Sequence, residues 1–129
     1  MIDLKYSPSE LVSFYASPYE FLVRKYMKDT DDGHAKEDPE DPFLKMIASK
    51  GDDHEKSILN ELKNQDLSLT VIDKSDRFTM VNETREAMKK GADVIYQGSL
   101  SNDVFYGRAD FLIKEFIPSN LGNYSYQVW

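Results

Sequence analysis

The alternation of apolar and polar positions is clearest near the end of the chain. From Phe105 to Ile113, Phe105, Ala109, Phe111 and Ile113 fall on one face of an extended strand, and Tyr106, Arg108, Asp110 and Leu112 on the other. The turn-rich run Pro118-Ser119-Asn120-Leu121-Gly122-Asn123 follows, and then Tyr124-Ser125-Tyr126-Gln127-Val128-Trp129 reads as a second strand. Strand, short loop and strand predict a hairpin. Asp110 lies mid-strand among large apolar neighbours, where a carboxylate is disfavoured unless something pairs with it.

Upstream the period is helical. Ser7-Pro8-Ser9-Glu10 and Ser17-Pro18-Tyr19-Glu20 are two helix starts of one design, with Ser at the cap, Pro at the first helical position and Glu three residues after the cap. Leu11, Phe14 and Tyr15 give the first helix an apolar side, and Phe21, Leu22 and Tyr26 the second. Asp41-Pro42 opens the longest predicted helix, running to about Asn64. Its buried stripe is followed as Leu44, Ile47, Ala48, Gly51, His54, Glu55, Ile58, Leu59 and Leu62. Gly51 costs about 1 kcal/mol relative to Ala in a helix interior, which points to close packing or ligand approach. On the stripe alone, His54 reads as a core-edge histidine and Glu55 as a carboxylate reaching water.

After this helix, Leu67–Asp73 predicts a strand. Asn82 caps a short helix, Glu83 to Lys90, closed by Gly91. Asp93–Gly98 is a further strand, turning at Ser101-Asn102-Asp103 into the Val104 strand. Helices, strand, helix and a three-strand meander predict an α+β or mixed α/β fold, as one domain over 1–129.

Composition narrows the chemistry. With 129 residues, 40% of them hydrophobic and 30% charged, the chain suits one globular domain. No apolar run approaches a membrane span and no signal peptide opens the chain, so no membrane partner and a cytoplasmic location are expected. The absence of cysteine excludes disulfides, thiolate zinc sites, cysteine-held iron–sulfur clusters and thiol nucleophiles. A net charge of −7 argues against tight non-specific DNA binding through Lys and Arg alone, but permits an enzyme that meets phosphate through divalent metal ions. The acidic run Asp29–Asp41 fails the calcium-loop test, since the positions one, three and five before Gly33 hold Lys28, Thr30 and Asp32. It is read as a solvated loop. No glycine-rich phosphate loop supports small-molecule binding.

Several segments in order resemble the RecB-like nucleases of the PD-(D/E)XK superfamily. They are Ser7-Pro8-Ser9-Glu10-Leu11 with Ser17-Pro18, Gly51-Asp52-Asp53-His54-Glu55, Ala87–Gln97, Gly107-Arg108-Ala109-Asp110-Phe111-Leu112 and Tyr124-Ser125-Tyr126-Gln127-Val128. The resemblance implies a restriction-endonuclease-like core, a central mixed sheet with flanking helices, and Mg²⁺- or Mn²⁺-dependent hydrolysis of DNA phosphodiesters. It implies Asp110 and His54 as metal ligands, Glu55 as the helix acid, and Gln97 and Arg108 as substrate-binding residues. Glu55 has the alternatives of pairing with Arg108 or facing solvent.

The chain departs from the pattern in two ways. It stops at Trp129, just before the Asp-x-Lys of the family is due, so the likeness is to the N-terminal part of such a domain, C-terminally incomplete. Gln127 stands where many members have Glu. The isolated chain is therefore expected to be inactive, and its aromatic last strand to support a homodimer. The competing reading is a non-catalytic domain of the same fold that binds a protein or nucleic acid.

Overall fold

A computed structural model describes residues 5–26 and 39–129. Most of the acidic segment Asp29–Asp41 lies outside the described residues. Among those described, the order is α1 (Pro8–Ala16), α2 (Pro18–Tyr26), α3 (Pro42–Lys63), β1 (Leu69–Val71), α4 (Arg77–Lys90), β2 (Val94–Ser101), β3 (Tyr106–Glu115) and β4 (Ser125–Val128). The strands form one mixed sheet in the order β1-β2-β3-β4, with β1 parallel to β2 and the other pairs antiparallel. This is an α+β fold. Parallel neighbours need a crossover, and α4 supplies it.

The first helix starts as its sequence predicts. Ser7 Oγ accepts from Glu10 N at 3.2 Å, and Glu10 Oε2 accepts from Ser7 N at 2.7 Å. The second cap forms only in part. Ser17 Oγ accepts from Glu20 N, but Ser17 N donates to Ser13 O to close α1. With that N–H already used, the Glu20 carboxylate turns to Arg24 instead, at 2.8 Å. Tyr6 bridges to Phe105 beside β3, and the Phe21 ring is buried against those of Tyr6 and Phe14. Lys25 lies over the Tyr6 ring and binds Glu10 at 2.8 Å, so the Glu10 carboxyl titrates below its ordinary range, chiefly through that Lys25 bond.

The crossover helix begins earlier than its sequence suggests. Asp76, not Asn82, is the N-cap, accepting from Thr79 N at 3.0 Å. Asn82 sits in the helix interior. Gly91 closes α4 at φ 75° as expected, in the left-handed region glycine enters without penalty. Met80 and Ala87 of this helix pack with Ile72, Ala92, Ile95, Ala109 and Leu112 to form the core. Thr84, fully buried, donates to Met80 O and accepts from Ser99 N, both at 2.8 Å.

Helix α3 has the predicted bounds but not the predicted burial. Leu44, Ile47, Ala48, Gly51 and His54 are exposed, and only Glu55, Ile58, Leu59 and Leu62 are half-buried. The helix touches the body of the molecule only along its second half. A Cβ at Gly51 would meet nothing within 4 Å, so close packing does not explain that glycine.

The regular alternation expected along β3 is also broken. Ile95 and Gly98, three positions apart, both face α4: Ile95 lies in the core cluster, and a Cβ on Gly98 would meet Leu112 and Thr84 side chains. Ala109 and Leu112 likewise share that core instead of falling on opposite faces. A regular strand sends positions three apart to opposite sides. The cause lies at Gln97, whose φ of 58° is the one positive value at a non-glycine among the described residues. The pairing register skips it too, passing from Tyr96↔Phe111 to Gly98↔Ala109.

Candidate functional site

The break in β2 and β3 delivers two neighbouring pairs of side chains, Tyr96 with Gln97 and Asp110 with Phe111, to one place. The Tyr96 and Phe111 rings pack at 5.3 Å between centroids, tilted by 44°. Beside them Gln97 Nε2 donates to Asp110 Oδ1 at 3.2 Å and to Glu55 Oε1 of α3 at 2.6 Å. Two carboxylates from distant parts of the chain therefore converge on a single amide nitrogen. Glu55 also stands against the Tyr96 hydroxyl and, with burial second, raises its pKa. A phenol beside a carboxylate keeps its proton, because ionising it would set two negative charges together.

Glu55, half-buried, is thus hydrogen-bonded to Gln97, and among the described residues it forms no ion pair with Arg108. Asp110 is exposed, as is Arg108, two residues before it, which pairs in register with Ser99 and lines a separate hollow with Arg85. His54 is exposed next to Glu55 on α3, about 100° around the helix from it, and makes no side-chain hydrogen bond among the described residues. The structure therefore brings together Glu55, Gln97 and Asp110. Among the described residues, no side-chain hydrogen bond joins His54 or Arg108 to that group.

The hairpin brings β4 beside this site. Trp129 exchanges both backbone hydrogen bonds with Phe111, at 2.8 and 3.1 Å. The ladder thus reaches the neighbour of Asp110. Trp129 itself is 72% exposed, its ring not folded into the body.

Oxygen donors from Glu55 and Asp110 suit a hard divalent cation such as Mg²⁺, which is held by one or two carboxylates and keeps several waters. The Gln97 side chain adds a carbonyl oxygen if its amide rotates, since the two ends of an amide are nearly isosteric. Among the described residues, no three His, Cys, Asp or Glu side chains gather as a metal-ligand group.

Sequence reasoning names Glu55, Gln97 and Asp110 separately but misses Tyr96. Its signal is faint: a tyrosine in a strand reads as core or edge, and only the break at Gln97 sends both it and its neighbour toward α3. No family model, curated protein or solved structure matches the chain.

Proposed function

We propose that the chain carries the carboxylate part of a metal-dependent DNA nuclease site of RecB-like type, on a restriction-endonuclease-like core. The single observation that supports this is the convergence of Glu55 and Asp110 on one point beside a strained strand residue. Strained backbone persists only where the surroundings hold it, and such residues cluster at functional sites.

In this reading Asp110 and Glu55 hold Mg²⁺ or Mn²⁺, and Gln97 turns its carbonyl toward the site. The bound ion supplies neutralisation of phosphate charge and a lowered pKa for water. Tyr96, protonated beside Glu55, fixes that carboxylate in orientation. His54 is a third candidate ligand, on the solvent side of Glu55. Arg108 is the residue assigned to the DNA backbone.

A second reading has its own support. The Gln97 amide already donates to one oxygen of each carboxylate and holds them together with its own N–H groups, as would suit a non-catalytic domain of the same fold that binds a partner. Mn²⁺ titration followed by electron paramagnetic resonance separates the two. The nuclease reading expects Mn²⁺ binding that Asp110→Asn and Glu55→Gln each weaken at least tenfold, and Mg²⁺-dependent DNA cleavage, where measurable, abolished by Asp110→Ala. Unchanged Mn²⁺ binding in both variants would overturn it in favour of the non-catalytic domain.

A further inference from the structure

The acidic site is not the chain's only organised surface. Helix α4 carries three distinct sets of side chains. Met80, Thr84 and Ala87 are buried in the core. Glu83 and Glu86 are exposed, with Glu86 paired to Lys89 at 3.0 Å. A third set of side chains, Arg77, Phe78, Asn82 and Arg85, carries no acid. Phe78, Asn82 and Arg85 follow one another at steps of four and three, and with Arg77 they form one wall of a cleft of about 370 Å³.

The opposite wall is the β2–β3 turn, with Asn102, Asp103 and Tyr106. Lys5 lies there too, donating to Ser101 Oγ at 2.8 Å. Among the described residues, cations outnumber the one acid lining this cleft, in a chain whose net charge is −7. Neither Arg77 nor Arg85 has a carboxylate partner among the described residues. The Arg77 guanidinium lies 4.8 Å from the centre of the Tyr106 ring. Over the ring in this way it is held by a cation–π contact, while its N–H groups remain able to donate in a fork to phosphate oxygens. Phe78, 77% exposed, presents a ring to solvent at the same cleft.

We propose that the cleft between α4 and the β2–β3 turn binds a segment of single-stranded nucleic acid, with Arg77 and Arg85 on its phosphates and Phe78 stacked on a base. Positively charged grooves with an aromatic platform are how proteins hold single strands without reading sequence. A duplex hides its base faces from Phe78, and the cleft volume lies at the small end of the range of ligand pockets, which fits a nucleotide unit and not a double helix. An acidic peptide would satisfy the arginines but leave the exposed ring without a stacking partner. The cleft lies on the α4 side of the sheet, away from Glu55 and Asp110, so this inference stands apart from the metal-site reading.

The test uses fluorescence anisotropy of a labelled 15-nucleotide oligothymidylate with EDTA present, which removes any metal-bridged interaction. Wild-type protein should bind at about 50 mM salt. Arg77→Ala and Arg85→Ala should each weaken binding roughly five- to tenfold and reduce the slope of log affinity against log salt by about 0.7, the change that follows when one fewer phosphate of a single strand is neutralised. Phe78→Ala should weaken binding roughly tenfold with the salt slope unchanged, because stacking releases no counterions. Circular dichroism should show each variant folded. Absence of binding by the wild-type protein would overturn the proposal. So would undiminished binding by folded Arg77→Ala/Arg85→Ala, or displacement of the oligonucleotide by polyglutamate as readily as by unlabelled oligothymidylate.

Discussion

Gln97 Nε2 stands 2.6 Å from Glu55 Oε1, and that hydrogen bond ties the peripheral helix α3 to the sheet. Helix α3 has no buried residue, so little apolar area fixes its position. A strand residue with φ of 58° reaches across to it, and the same nitrogen reaches Asp110. The left-handed backbone and the bridging side chain are two parts of one arrangement, since the turn in β2 is what brings Gln97 and Tyr96 to the α3 side together.

Substitution at Gln97 separates these parts. Gln97→Ala keeps the unfavourable backbone and loses both hydrogen bonds, while Gln97→Gly loses the bonds but relieves the backbone. A side chain in the left-handed region costs roughly 1–2 kcal/mol, partly offset by the larger entropy a glycine loses on folding. Gln97→Gly is therefore expected to be more stable than Gln97→Ala by about 1 kcal/mol. Urea unfolding of the two variants checks this, and equal stability would mean that Gln97 is not strained in solution.

Elements governed by local chemistry are more legible in the sequence than those governed by long-range packing. The Ser7–Glu10 capping box and the Gly91 stop are written in a few adjacent residues, and both form. Asn82 has the residue type of a cap, but Asp76 offers the same chemistry earlier, and the apolar positions Met80 and Val81 need to be helical to reach the core. The stripe of α3 extends in sequence back to Leu44 because spacing reports which residues share a face, not whether anything covers it. The alternation along β3 fails for the opposite reason. Its pattern of residues is regular, but the partner strand turns at Gln97, a residue type with no special preference for positive φ. Glu55 and Asp110 are legible as out-of-place carboxylates; their common partner is not.

Gly98 faces α4 because of that turn, and a Cβ there would come within 2.6 Å of Leu112 Cδ1 and 3.4 Å of Thr84 Cγ2. Leu112 is 1% exposed and has little room to move. Gly98→Ala should therefore destabilise the protein by about 1–3 kcal/mol. Leu112→Ala opens space at the same point and should cost about 2–5 kcal/mol alone. The double variant should be less destabilised than the two single losses added together. Strict additivity in chemical denaturation would show that the two positions do not touch.

Thr84 offers a test of a single buried hydroxyl. Its Oγ1 is the acceptor for Ser99 N in a fully buried position. Thr84→Val preserves shape but leaves that N–H without a partner, which costs about 1–3 kcal/mol. Thr84→Ser keeps the acceptor and loses one methyl, worth about 0.8 kcal/mol. Thr84→Val should accordingly be the less stable of the two, although it is the closer match in volume. Hydrogen exchange at the Ser99 amide should rise in Thr84→Val and stay slow in Thr84→Ser.

Alkaline conditions should probe the sheet next to α4. The Tyr126 hydroxyl donates to Ala92 O at 2.6 Å, and burial, with the neighbouring Tyr124 and Asp93, pushes its pKa from 10.0 up to about 12. A raised folded-state pKa means that the unfolded chain releases its proton first as pH rises. The associated stability is therefore intact below pH 10 and is lost progressively toward pH 12. Tyr96, raised by Glu55, acts in the same direction. Acid has the reverse sign at Asp93, which is lowered from 3.8 mainly by its Ser68 hydrogen bonds, so that contribution is lost as pH falls below that value. The melting temperature should fall between pH 10 and 12, and Tyr126→Phe should melt lower at pH 8 yet fall less steeply over that window. Absorbance at 295 nm should show one fewer late-ionising tyrosine in the variant. An identical alkaline slope in both proteins would mean that Tyr126 ionises no later folded than unfolded, and that its bond to Ala92 is not kept in solution.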